Sequence, residues 1–191
     1  KGILAADESN ATMSKRLESV GVVPSEETRR SYRSAMLSTP GLEDNISGVI
    51  LFDETIRQRM DDGTLFPEHL NRRGIIPGIK VDTGAKPLAG HPSETVTEGL
   101  DGLRERCKEY FSMGARFAKW RAVISISRDC PTEAAILVNA HALARYAAIC
   151  QEQGLVPIIE PEVLMAGPHT LEDCASITAR ALSAVYSQCQ I

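Results

Sequence analysis

The chain has 191 residues, 43% of them hydrophobic and 24% charged, enough for a filled core in one or two domains. Its formal net charge of −4 excludes a general nucleic-acid binder, and no apolar run is long enough to span a bilayer. The five cysteines are scattered without CxxC spacing and the four histidines lie far apart. A disulfide framework or a structural metal is therefore not expected, and a reducing compartment is.

The chain opens on Lys1-Gly2-Ile3-Leu4-Ala5-Ala6-Asp7, which reads as the interior of a protein rather than a signal peptide. Gly2 to Asp7 is a short apolar run ending in an acid. Cap-like residues from Glu8 to Thr12 precede a helix with Met13, Leu17 and Val20 on one face, stopped by Gly21. Pro24-Ser25 starts a second helix, Glu26 to Leu37, with acids in its first turn as the helix dipole prefers. Ile46 to Phe52 is continuously apolar, the pattern of a parallel strand buried on both faces. Asp53-Glu54 opens a short helical piece to Met60, and Glu68 to Arg73 is a further turn or two.

Ile75 to Asp82 is the third strand. Thr83 to Pro92, rich in glycine and proline, reads as a loop, and Glu94 to Met113 as a helix ended by Gly114. Ala115 to Ile126 is the fourth strand. A long helix, Glu133 to Gln153, carries a stripe of Ile136, Ala140, Leu143, Ala147 and Cys150. Val156 to Val163 is the fifth strand, and Leu171 to about Gln188 the last helix. Strand and helix thus alternate five times, which indicates an α/β fold with a parallel sheet. A doubly wound sheet would be complete at this length, whereas a (β/α)8 barrel takes roughly 250 residues, so composition and length slightly favour the doubly wound form.

The charges recur at strand ends. Asp7 ends the first strand. Lys80 and Asp82, Lys119 and Arg121, and Glu160 and Glu162 are each two residues apart and so share one strand face. Taken alone, Phe117 to Val123 would suit an edge strand with its polar face in water. Repeated at the carboxyl ends of several parallel strands, where such folds bind ligands, the pairs indicate a site. Lysine and arginine suit a phosphorylated substrate. A lysine beside another cation loses its proton more readily and can attack a carbonyl, which makes Lys119 the chain's own candidate nucleophile. No glycine-rich phosphate fingerprint supports a nucleotide cofactor, and the neighbours of Ser9 do not form a GxSxG elbow.

Several segments resemble the class I, Schiff-base fructose-bisphosphate aldolases: Lys1 to Ser9, Gly48 to Phe52, Gly78 to Asp82, Pro87 to Gly90, Gly99 to Leu103, Phe117 to Arg121, Leu143 to Ala147 and Val156 to Glu162. They run in order over essentially the whole chain. The resemblance implies a (β/α)8 TIM barrel of which residues 1–191 form one partial domain, the first five βα units. It implies a homotetramer that cleaves fructose 1,6-bisphosphate into dihydroxyacetone phosphate and glyceraldehyde 3-phosphate. Neither a metal nor another cofactor is called for, and no nucleic acid or membrane partner. The location implied is the cytoplasm, or the plastid stroma, since the wording from Asp7 to Thr12 is closer to plastid and bacterial members.

By the same resemblance, Glu160 is the general acid/base, Asp7 orients the imine, Lys119 stabilises charge beside the nucleophile and Glu162 tunes Glu160. Lys80, Arg121, Arg16, Arg29 and Ser9 would bind substrate, largely through its phosphates. Arg16 and Arg29 read from sequence alone as solvated helix charges. The family commonly has a lysine where Thr83 stands. Its imine-forming lysine belongs to a Glu-Gly-x-x-Leu-Lys-Pro motif on the sixth strand, which the resemblance places beyond Ile191, so the 191 residues alone are expected to lack the covalent step. The alternative is a truncated, non-catalytic module of the same type that binds phosphosugars or a protein.

Overall fold

In the computed structural model, which describes residues 1–190, the apolar opening run forms β1 (Gly2–Ala6), followed by α1 (Asn10–Ser19), α2 (Glu26–Leu37) and a short α3 (Leu42–Asn45). The second apolar run is β2 (Ile46–Leu51). Then come α4 (Asp53–Ile56), α5 (Phe66–Arg72) and β3 (Ile76–Lys80). The chain continues through β4 (Gly84–Pro87), β5 (Thr95–Glu98), α6 (Leu103–Ser112), β6 (Phe117–Ile124), α7 (Glu133–Glu152), β7 (Val156–Val163) and α8 (Leu171–Cys189). These elements fall into two compact units, Lys1–Lys80 with Lys108–Ala118, and Val81–Cys107 with Lys119–Ile191.

In the first unit β1 pairs in parallel with β2, Ala5 opposite Ile50 and Ala6 opposite Leu51. β2 pairs in parallel with β3, Ile50 opposite Gly78. The start of β6 continues the order, with the Arg116 amide donating to the Pro77 carbonyl. Val49, Leu51 and Ile79 are fully buried, as a continuous apolar run demands of a sheet covered on both faces. Glycine at 78 has a packing reason. A Cβ there would lie 2.2 Å from the Phe117 ring, and one at Gly48 would lie 3.1 Å from it, so the two glycines make the seat of that ring. At the start of α2, Ser25 and Thr28 each accept the other's backbone N–H, satisfying two donors the helix leaves open.

In the second unit β6 neighbours β7, and the Leu164 amide donates to the Ile124 carbonyl. The expected alternation in β6 holds: Ala118, Trp120, Ala122 and Ile124 are buried, while Lys119, Arg121 and Val123 are only half-buried. Trp120 packs on Tyr146 of α7, ring centroids 5.4 Å apart, and the Tyr146 hydroxyl donates to the Ile158 carbonyl of β7. β6 is an interior strand of its sheet order, not the edge strand its own residues allowed.

One stretch departs from the sequence reading. The loop expected over Thr83 to Pro92 and the helix expected from Glu94 contain an antiparallel pair, β4 with β5, in the register Ala85 opposite Thr97. The helix starts only at Leu103. Thr95, Val96 and Thr97 are β-branched and favour a strand. Gly99 at φ 129° and Gly102 at φ 63° hold conformations a helix cannot continue through. The buried Asn139 side chain of α7 secures the hairpin, accepting from the Thr97 amide and donating to the Thr95 carbonyl.

Candidate functional site

The second unit carries the densest set of expected site residues. Lys119 and Arg121 lie on one face of β6, and Glu160 and Glu162 on one face of β7, so each cation meets an acid across the two strands. Lys119 Nζ is 3.4 Å from Glu160 Oε2, with side chains 13% and 32% exposed. Arg121 Nε donates to Glu162 Oε2 in the next step of the ladder, and that carboxylate is the main cause holding the guanidinium above its ordinary range. Asp82 anchors the start of this arrangement. Its Oδ2 accepts from the Arg121 amide at 3.3 Å and its Oδ1 from the Gly84 amide at 3.0 Å, which fixes the turn into β4. The side chain is buried.

The arrangement is suited to proton movement. A half-buried ammonium and a carboxylate within hydrogen-bonding reach can exchange a proton with a substrate hydroxyl or carbinolamine placed beside them. The Arg121–Glu162 pair leaves the second acid charge-compensated, so two carboxylates on one strand have different partners and different roles open to them.

In the first unit, Asp7 follows β1 and is 7% exposed, and Lys80 is the last residue of β3. Ser9 is the N-cap of α1: its Oγ accepts from the Thr12 amide at 3.3 Å. Arg16, at the end of α1, pairs with Glu8 while 64% of its side chain stays in solvent, so it can turn to another anion at small cost. Arg29 is held more firmly. Its Nε and Nη2 donate to the two oxygens of Glu54 at 2.8 and 2.7 Å, and Nη1 reaches Ser14 Oγ at 3.3 Å. This bidentate pair is 12% and 14% exposed and raises the Arg29 pKa, with the Glu54 hydrogen bond as the leading cause. Asn10 donates to the same carboxylate. A phosphate at Arg29 would have to share or displace Glu54.

Sequence reasoning did not find Glu54 or Asn10 in this network. Asp53-Glu54 directly after a buried parallel strand was the available signal, since such positions border the site in this architecture. Nothing in the spacing links Glu54 to an arginine 25 residues earlier. Among the described residues no group of three or more histidine, cysteine, aspartate and glutamate side chains could hold a metal ion, and no helix is long and apolar enough to cross a membrane.

The family model described as class-I fructose-bisphosphate aldolase matches residues 1–191. A relative from Xanthomonas axonopodis pv. citri, named probable fructose-bisphosphate aldolase class 1, is 60% identical over 97% of this chain and 56% of its own length. The Arabidopsis thaliana protein named fructose-bisphosphate aldolase 6, cytosolic, is 55% identical over 97% of this chain and 52% of its own. Among solved structures, a Plasmodium falciparum fructose-bisphosphate aldolase in complex with TRAP and a small-molecule inhibitor superposes with a TM-score of 0.97 at 49% identity. It covers 100% of this chain and 55% of the other. The chain spans about half the length of the curated relatives it matches. The likeness establishes the partial TIM barrel and overturns the doubly wound alternative.

Proposed function

Because this chain belongs to the class I fructose-bisphosphate aldolase family, we propose that the whole protein reversibly cleaves fructose 1,6-bisphosphate to dihydroxyacetone phosphate and glyceraldehyde 3-phosphate through a lysine imine. The observation that carries the proposal at the level of chemistry is the Lys119–Glu160 contact, an ammonium 3.4 Å from a carboxylate on neighbouring strands. Glu160 would protonate the carbinolamine hydroxyl as it leaves, then take the proton of the C4 hydroxyl when the C3–C4 bond breaks. Lys119 would stabilise negative charge at the reacting oxygen, and Glu162, compensated by Arg121, would hold Glu160 and the cations in place.

Asp7 would orient the imine and the substrate hydroxyls. Lys80, Arg121, Arg16 and Ser9 would bind the sugar phosphate. Arg29 would contact a substrate phosphate as well, sharing its guanidinium with Glu54. The imine itself would use a lysine of the whole protein outside these 191 residues, and no metal enters the reaction. We place the protein in the cytoplasm, as its Arabidopsis relative's name states for that protein, as a homotetramer in sugar-phosphate breakdown and synthesis.

Borohydride reduction in the presence of dihydroxyacetone phosphate tests the assignment. The whole protein should gain one covalent label, on a lysine that is neither Lys80 nor Lys119. A label on Lys119 would return the nucleophile's role to it. An unlabelled protein that still binds the sugar phosphate would be the non-catalytic module.

A further inference from the structure

Arg33 is the most deeply buried charged side chain among the described residues, with 0% of its surface exposed, and nothing in the proposed reaction uses it. It projects from α2. Nη1 donates to Thr55 Oγ1 in α4 at 2.8 Å, and Nη2 donates to the backbone carbonyl of Glu8 at 2.6 Å. The Glu8 carboxylate lies farther off, 3.8 Å from Nη2, and Nε is buried with no hydrogen-bond partner. Burial pushes the guanidinium below its ordinary range, with Glu8 and Glu54 opposing that shift.

This is a poor way to stabilise a fold. A buried cation whose nearest carboxylate lies at 3.8 Å, with one N–H unsatisfied, is seldom better for stability than an apolar side chain of the same volume. What an arginine supplies and a methionine cannot is a rigid planar fork that ties two separate segments at fixed geometry. Here one prong holds α4, and the other holds the peptide carbonyl between Glu8 and Ser9. The flanking residues are Asp7 and Ser9, both assigned to the site above. Arg33 thus grips the backbone link between two site residues.

We infer that Arg33 is a positioning residue: it fixes the Glu8 peptide, and through it the Asp7 carboxylate and the Ser9 cap, at the mouth of β1. The inference rests on the roles proposed for Asp7 and Ser9. It predicts that stability and function come apart. In the whole protein, Arg33→Met should melt within a few degrees of the parent, or above it. Its kcat for fructose 1,6-bisphosphate should fall at least tenfold, with a smaller change in KM, because Asp7 acts on the imine. Arg33→Lys keeps the charge but cannot bridge Thr55 and Glu8 together, so it should recover only part of the loss. Amide hydrogen exchange over Asp7 to Asn10 should accelerate about tenfold in Arg33→Met and less in Arg33→Lys.

Unchanged kcat in both variants overturns the inference. So does a kcat loss that merely follows a matching fall in melting temperature. If Arg33→Met fails to fold, Arg33→Lys decides by the same measures. If the parent protein does not cleave the bisphosphate, the functional reading fails on its own, and the exchange measurement still judges Arg33: no local acceleration overturns the positioning role.

Discussion

The two units secure their charged side chains by different means. In the first, arginines on the early helices reach to loops and to α4: Arg29 grips Glu54 almost out of water, and Arg33 grips a peptide carbonyl. In the second, cations and acids face each other across β6 and β7, and the Arg121–Glu162 pair stays 41% and 37% exposed. A strand ladder presents charge to whatever enters the barrel mouth, and its pairs can open because water still reaches them. A desolvated bidentate pair is a fixture, since removing either partner strands the other. The arginine grips of the first unit are therefore fixtures, and the ladder of the second is the more accessible set of charges.

The contrast is broken most directly at Glu160. If the ladder is the working surface, Glu160→Gln in the whole protein should lower kcat by roughly 10²- to 10⁴-fold, the usual worth of a general acid/base, while the melting temperature hardly moves. A kcat within a few-fold of the parent would make Lys119–Glu160 a structural pair and remove the acid/base from β7.

A residue that only packs should show the reverse. Gly78→Ala in the first unit drives a Cβ to 2.2 Å from the Phe117 ring, which is itself buried. Overpacking of this kind costs about 1–3 kcal/mol, read as a lower denaturant midpoint at unchanged slope. A variant as stable as the parent would mean the ring is free to leave its glycine seat. A smaller effect is expected at the ladder's second step. Arg121→Lys keeps the charge but loses the planar fork proposed to hold the sugar phosphate, and should raise KM on the order of tenfold, the worth of one charge-assisted hydrogen bond to substrate, with little change in the melt because the Glu162 pair is partly exposed.

The same contrast explains what was legible in the sequence. Lys119, Arg121, Glu160 and Glu162 were readable as facing pairs because a strand repeats every two residues, so spacing alone assigns the face. The buried run Ile46 to Phe52 was readable for want of polar interruptions. Glu54 and Arg33 were not readable, because their partners come from segments brought close only by the fold. The hairpin β4–β5 was hidden because Leu100, Leu103 and Cys107 imitate a helical stripe that begins earlier than the helix does, and Gly99 and Gly102 outweigh them. The choice between barrel and doubly wound sheet turned on length, which misleads when a chain covers about half of its relatives.

The smallest expected effect separates two caps built on the same plan. In the first unit the Ser25–Thr28 box at α2 uses only hydroxyls and amides. In the second, α8 begins with Thr170 and Asp173 exchanging bonds, the Asp173 carboxylate accepting from both the Thr170 amide and hydroxyl at 3.0 Å. The Thr170 backbone bond is the leading cause that lowers the Asp173 pKa from its ordinary 3.8. A carboxyl that is more acidic in the folded chain stabilises it above its unfolded pKa and stops doing so as pH falls through the lowered value. The α8 cap should therefore be intact at pH 5 and lost only below about 3.8; the α2 box has no carboxylate of its own, but Glu26 and Glu27 stand in the same turn, so the control is the α8 turn of Asp173→Asn. Hydrogen exchange at pH 5 and at pH 3, corrected for intrinsic rates, should show the first turn of α8 loosening in the parent more than in Asp173→Asn. Equal loosening in the parent and in Asp173→Asn would mean that the Asp173 cap contributes nothing of its own.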